Sequence, residues 1–258
     1  MEFCVLASGS NGNAIYLRSL QSGKAILLDC GISHQQLKKR LEERRRSLAQ
    51  VSAIFLTHEH GDHVRGLNVT RKYHQIPFFL TPGTWTGLKD KTHLTDCQLI
   101  NPTEYIFLED FKIEPILKSH DALEPVAFNV ALNGFQLLYA TDFGTPNPTL
   151  ISRIKTADVL IFEMNYDEKM LETGPYPEYL KLRIQSDYGH ISNEVSMNMI
   201  QTYAKSDLKF LIAGHISENN NHPRIVRREI EAMLAKRPDL NPEIVIASRY
   251  EATDLFCL

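Results

Sequence analysis

The chain has 258 residues, with 28 Lys and Arg against 31 Asp and Glu and a formal net charge of −3. That balance excludes the global positive field by which many nucleic-acid-binding domains hold their ligand, so any phosphate contact must be local or aided by bound cations. No apolar run approaches the roughly 20 residues of a membrane span, the first residues lack the features of a secretory leader, and Cys4, Cys30, Cys97 and Cys257 form no CxxC pair; the expectation is a cytoplasmic protein with reduced thiols.

Short apolar runs predict strands at 3–6, 14–17, 25–28, 53–56, 78–80, 113–117, 135–139, 159–162, 209–213 and 244–247. Apolar residues at near-helical spacing predict helices at 34–46, 193–204 and 223–235. Ser8-Gly9-Ser10-Asn11-Gly12-Asn13 is glycine-rich but fits neither GxGxxG nor a P-loop. It reads as a tight hairpin connection or as a loop lining a site. The first half is rich in consecutive strands and the second mixes strands with helices. The expectation is an α/β fold of two sheets with helices outside, not a doubly wound nucleotide fold. With no repeat and no clear linker, residues 1–258 are expected to form a single domain.

After the strand at 53–56 comes Thr57-His58-Glu59-His60-Gly61-Asp62-His63. Imidazole and carboxylate together suit zinc, manganese or iron(II). Period-two geometry at a strand end would aim His58 and His60 one way, leaving Asp62 and His63 to address a second ion from the turn. One such cluster cannot complete two coordination shells. His120, Asp142 and His215 each follow a predicted strand, where sites collect, and are the candidates to complete them.

The order HxHxDH, His, Asp, His resembles the metallo-β-lactamase superfamily over nearly the whole chain, and Leu28-Asp29-Cys30-Gly31 is similar to its early Asp-Gly element. The resemblance implies a four-layer αβ/βα sandwich, with Asp29 bracing a metal-site loop. It also implies two divalent ions: one on His58, His60 and His120, another on Asp62, His63 and His215, with Asp142 bridging. The ions would share a hydroxide of lowered pKa, which Asp62 would also orient.

Fold does not choose among lactams, thioesters, phosphodiesters and oxygen reduction. Tyr188-Gly189-His190-Ile191-Ser192-Asn193-Glu194 does more. Ser192 or Asn193 can cap the following helix, and a helix N-terminus favours a phosphate oxygen. In the tRNA-processing and related phosphodiesterase branches a similarly placed His contacts the scissile phosphate and aids the leaving group, so the resemblance makes His190 catalytic.

Ala7 to Asn13, Ser119-His120-Asp121-Ala122, Thr141-Asp142-Phe143-Gly144, Glu163-Met164-Asn165-Tyr166-Asp167, Gly174-Pro175-Tyr176-Pro177, Gly189 to Asn193 and His215 to Asn220 together resemble the YycJ/WalJ group of bacterial hydrolases. That resemblance implies a 5′-to-3′ exonuclease on double-stranded DNA, connected with DNA repair. Tyr166 stands where that group can carry a histidine and is not counted as catalytic.

Lys38-Lys39-Arg40 and Arg44-Arg45-Arg46 read as solvated helix faces, interleaved with Glu42 and Glu43. Arg224, Arg227 and Arg228, close after His215, are the better phosphate-tracking candidates, with Arg183 another. Hydrolysis of a small phosphodiester or thioester, and a non-enzymatic metal-stabilised binding protein, are the competing readings.

Overall fold

The computed structural model describes residues 1–258. The chain forms two compact units: Met1–Leu117 with Ala122–Gly134 and Ser248–Leu258, and Lys118–Asp121 with Phe135–Ala247.

The first unit contains β1 (Glu2–Ala7), β2 (Ala14–Arg18), β3 (Ala25–Leu28), α1 (His34–Glu43), β4 (Val51–Phe55), α2 (Gly61–Val64), α3 (Leu67–His74), β5 (Phe78–Leu80), α4 (Pro82–Gly87), β6 (Cys97–Leu99), β7 (Ile106–Leu108), β8 (Phe111–Leu117), β9 (Val126–Leu132) and, past the second unit, a last strand at Phe256–Cys257. That last strand pairs antiparallel with β1 and starts a seven-stranded sheet that continues through β2, β3, β4, β5 and β6. Short turns join β1, β2 and β3, so these neighbours run antiparallel. From β3 onward helices intervene and the strands are parallel, as a crossover connection requires. β1 and β3 are buried at every position, the pattern of strands covered on both faces. β7, β8 and β9 form an antiparallel ribbon. Phe55 of β4 meets Phe128 of β9 edge to face, with ring centroids 5.8 Å apart.

α1 stops at Glu43, before the predicted end at 46, because Arg45 turns left-handed at φ 55°. Lys38, Lys39 and Arg45 are exposed, as expected of solvated helix faces, but Arg40, Arg44 and Arg46 are structural. Arg40 is buried and donates to the carbonyls of Leu6, Arg249 and Tyr250 at 2.6, 3.2 and 2.7 Å. Arg44 donates to Thr253 O at 2.8 Å, and Arg46 pairs with the buried Glu2 at 2.5 Å. These bonds hold the C-terminal segment onto β1 and α1.

The second unit carries β10 (Phe135–Ala140), α5 (Pro148–Ile154), β11 (Val159–Glu163), α6 (Glu168–Thr173), α7 (Glu178–Gln185), α8 (Asn193–Tyr203), β12 (Phe210–Gly214), α9 (Pro223–Leu234) and β13 (Glu243–Ile246). The four strands are parallel neighbours in chain order. β11 and β12 are wholly buried and apolar up to their ends. Their C-terminal ends, with that of β10, deliver Asp142, Glu163 and His215 to one edge. All four cysteines are free thiols. No helix is long and apolar enough to cross a membrane.

Candidate metal centre

In the first unit the histidine-rich segment is a turn, not a strand end. β4 stops at Phe55, and His60 already caps α2. His58 and His60 therefore approach through loop geometry rather than by strand alternation, their rings edge-on at 4.6 Å. The His63 ring lies 4.0 Å from that of His58. His58 and His63 are fully buried, while His60 and Asp62 are half-buried.

Each buried imidazole has its Nδ1 against an oxygen. His63 Nδ1 stands 2.7 Å from Asp29 Oδ2, and His58 Nδ1 stands 2.9 Å from Thr57 Oγ1. Thr57 in turn donates its backbone N–H to Asp29 Oδ1 at 2.8 Å. Asp29 thus orients His63 directly and braces Thr57, with its own backbone in the left-handed region at φ 62°, which Asp tolerates better than most residues. Asn13 Nδ2 lies 3.2 Å from Asp62 Oδ2 and 3.1 Å from His63 Nε2. The Gly-rich segment is therefore both a hairpin connection and a site-lining loop. Backbone bonds lock it down: Asn13 N–H to Asp62 O at 2.7 Å, and Cys30 N–H to His63 O at 2.8 Å.

In the second unit, Asp142, Glu163, His190 and His215 bring one ligand-type atom each within 4.8 Å of one another. His215 Nε2 faces Asp142 Oδ1 at 3.3 Å. On the opposite side of the ring, His215 Nδ1 stands 2.9 Å from Glu163 Oε1. The same oxygen lies 2.9 Å from His190 Nδ1. Asp142 and His215 both have positive φ, 59° and 51°. Backbone held in that region costs about 1–3 kcal/mol and collects at functional sites.

Glu163 is fully buried, which alone would raise its pKa. The charge of His190 and the hydrogen bonds from His190 and His215 outweigh burial and hold it at about 2. His120, whose Nδ1 stands 3.2 Å from Gly189 O, is pushed down to about 4 by burial against the pull of Asp142. It is neutral near pH 7, the state in which an imidazole binds metal.

The donor set fits a divalent ion. It is imidazole and carboxylate, and Asp29, Thr57, Gly189 and Glu163 hold His63, His58, His120 and His215 by Nδ1. That leaves Nε2 as the ligand atom, the usual support for a metal-binding histidine. Of the predicted residues, His58, His60, Asp62 and His63 gather in the first unit; Asp142, His190 and His215 gather in the second, with the His120 ring 5.4 Å from that of His190. Sequence reasoning quoted Glu163, Thr57, Asn13 and Asn165 within motifs but gave none of them a role; the Asn165 amide lies 3.2 Å from His215 Nδ1. Glu163 carried the signal that found Asp142 and His215, a ligand-type residue following a predicted strand, here the one at 159–162. Ser192 caps α8 by accepting from Val195 N–H, as expected. Tyr166 is buried, its hydroxyl pushed up to about 12 by burial. Arg183 is tied to Asp121 at 2.7 Å, while Arg224, Arg227 and Arg228 are exposed on α9.

A family model described as a beta-lactamase superfamily domain matches residues 24–216. Exodeoxyribonuclease YycJ of Bacillus anthracis is 31% identical, the match covering 92% of this chain and 90% of that protein. Exodeoxyribonuclease WalJ of Streptococcus pneumoniae is 30% identical over 91% of this chain and 88% of its own. A ribonuclease Z of Halalkalibacterium halodurans is 30% identical over 62% of this chain and 55% of its own. Among solved structures, the metallo-beta-lactamase fold protein YhfI of Bacillus subtilis superposes with a TM-score of 0.73 at 16% identity, covering 98% of this chain and 99% of that one. Fold and site together define a metallohydrolase. The chain belongs to the metallo-β-lactamase superfamily and, within it, to the YycJ/WalJ group.

Proposed function

We propose that this chain is a two-metal phosphodiesterase acting on nucleic acid, and specifically a 5′-to-3′ DNA exonuclease. The observation that carries the reading is His190, an imidazole held by a buried carboxylate beside Asp142 and His215. A hydrolase of thioesters has no need of such a group, whereas a phosphodiesterase must protonate a poor leaving alkoxide. The relatives named exodeoxyribonucleases match nearly the whole chain, and the ribonuclease matches less of it; this supports DNA over RNA.

In this reading the two units are halves of one domain. His58, His60 and His120 would hold one divalent ion, Asp62, His63 and His215 the other, with Asp142 shared. Bound ions of zinc, manganese or iron would supply a lowered water pKa and neutralise charge on the phosphate. Asp62 accepts a hydrogen bond from the attacking water and orients it. His190 contacts the scissile phosphate through Nε2 and passes a proton to the departing 3′-oxygen, while Glu163 holds the ring by Nδ1. A cytoplasmic role in DNA repair accords with this activity.

The test is cleavage of 5′-labelled duplex DNA, with RNA alongside, by protein loaded with manganese or zinc. Wild type should release 5′ products from DNA and His60→Ala should not. No cleavage by wild type, or equal cleavage by the variant, overturns the proposal. Faster cleavage of RNA would replace the DNA assignment.

A further inference from the structure

A second feature of the first unit lies beside the metal cluster. A cavity of about 710 Å³ is lined by Ser33, His34, Gln35, Lys38, Arg65, Gly66, Val69, Tyr73 and His74. Its volume falls in the range of small-ligand sites, about 300–1,000 Å³. The wall contains two permanent cations and two imidazoles, and no carboxylate. In a chain of net charge −3, that is a marked local concentration of positive charge.

The arrangement follows from two helices. Ser33 caps α1 by accepting from Gln36 N–H, so the positive end of that helix opens on the cavity. Lys38 sits one turn further along α1, in only a long, exposed pair with Glu42 at 3.8 Å; such a pair contributes little. From α3 come Tyr73 and His74. The His34 ring stacks on Tyr73 at 5.3 Å and lies 5.1 Å from His74. Burial, and the charges of His74 and Lys38, hold His34 below the ordinary imidazole range. Tyr73 and Val69 are 64% and 46% exposed and give the cavity an apolar edge. Arg65 and Gly66 follow directly on α2, which carries Asp62 and His63. The cavity wall and the cluster are therefore joined through α2.

Resting on the nuclease reading, we infer that this cavity is a subsite that holds a phosphate of the substrate strand, flanking the nucleotide being cleaved. Arg65, Lys38 and the two imidazoles face the phosphate oxygens. Tyr73 and Val69 receive the sugar or base. Phosphate contacts of this kind fix the register of a strand without reading its sequence, as a nuclease of broad specificity requires.

The experiment measures binding apart from turnover. A short 5′-labelled phosphorothioate oligonucleotide is titrated onto the metal-loaded full chain by fluorescence anisotropy, across a salt series. Lys38→Glu should raise Kd about tenfold and lower the slope of log Kd against log salt by about one, as loss of one phosphate contact does. His34→Ala should weaken binding in the same direction. Lys236→Glu, the same charge reversal at an exposed position outside the cavity, should leave Kd within about twofold. Unchanged Kd in both Lys38→Glu and His34→Ala overturns the subsite. If inorganic phosphate or AMP binds and is lost in those variants while oligonucleotide binding is not, the cavity takes a free nucleotide and the strand assignment falls. A wild type that binds through Lys38 but cleaves nothing rejects the nuclease reading and leaves the subsite standing. Cleavage by wild type with binding indifferent to Lys38 does the reverse.

Discussion

His190 stands with its Nδ1 2.9 Å from Oε1 of Glu163, a carboxylate fully removed from solvent. The two residues are 27 positions apart, and the contact fixes which ring nitrogen of His190 is left open. It turns the His190 ring so that Nε2 faces away from the carboxylate. Removing His190 should therefore affect proton delivery more than metal binding, whereas Glu163 also holds His215 by Nδ1 and its loss should affect both. His190→Ala should lower kcat on DNA about 100-fold or more, the usual share of a general acid. On a p-nitrophenyl phosphodiester, whose leaving group needs no proton, the loss should be much smaller. Metal content by elemental analysis should match wild type. Equal losses on both substrates would count against the acid role.

Asp29 supports the other unit's cluster in a different way. Its Oδ2 orients His63 and its Oδ1 holds the Thr57 N–H. Asp29→Ala should weaken metal binding about 10- to 100-fold, as loss of such an outer carboxylate generally does. Competition with a chromogenic chelator reads this directly. Unchanged affinity would mean that the turn holds His63 without its carboxylate.

Much of this was legible in the chain, for reasons that differ by residue. The predicted strands are all present with ends displaced by no more than two residues, because strands covered on both faces read as apolar runs. β9 escaped notice because Asn129 interrupts its apolar pattern; in the fold that amide donates to Glu114 at 3.3 Å. α7 buries none of its residues, so it has no apolar face to recognise. α2 has four residues, too few for any helical period. Metal-type residues were found by clustering or by their place after a strand. Glu163 was not, because its importance comes from meeting His190 and His215, which lie 27 and 52 positions away. Arg40 misled for the opposite reason: a basic helix face looks solvated until the C-terminal segment is seen to cover it.

Acid stability should report Glu163. Its pKa in the folded chain is about 2, against an ordinary value of 4.5. A lowered carboxylate pKa stabilises the fold above the ordinary value, and that contribution is lost as pH falls from about 4.5 toward 2. In chelator-treated protein, urea midpoints should therefore decline across this window. Glu163→Gln, which cannot ionise, should lower stability at neutral pH and flatten the decline. A variant with the same slope as wild type would assign the acid limb to other carboxylates.

Two glycines beside the first cluster make opposite predictions. A Cβ on Gly31 would sit 1.6 Å from the carbonyl oxygen of Asp62 and 2.7 Å from the backbone nitrogen of Asn13. These are main-chain atoms of the very segments that are clamped together by Asn13 N–H to Asp62 O and Gly31 N–H to Asn13 O. Nothing flexible is there to yield, so Gly31→Ala must push the Asp62 turn outward. The expected cost is about 3 kcal/mol, at the upper end for overpacking, together with weakened metal binding because Asp62 and His63 move with their backbone. Gly61 lies one residue before Asp62, yet an added Cβ there meets nothing within 4 Å. It opens α2 in ordinary helical territory, so Gly61→Ala should leave stability unchanged or raise it by about 0.5–1 kcal/mol. Urea denaturation and chelator competition on the pair separate crowding from mere proximity to the ligands. If Gly61→Ala weakened metal binding as much as Gly31→Ala, the backbone clamp would not be what holds Asp62 in place.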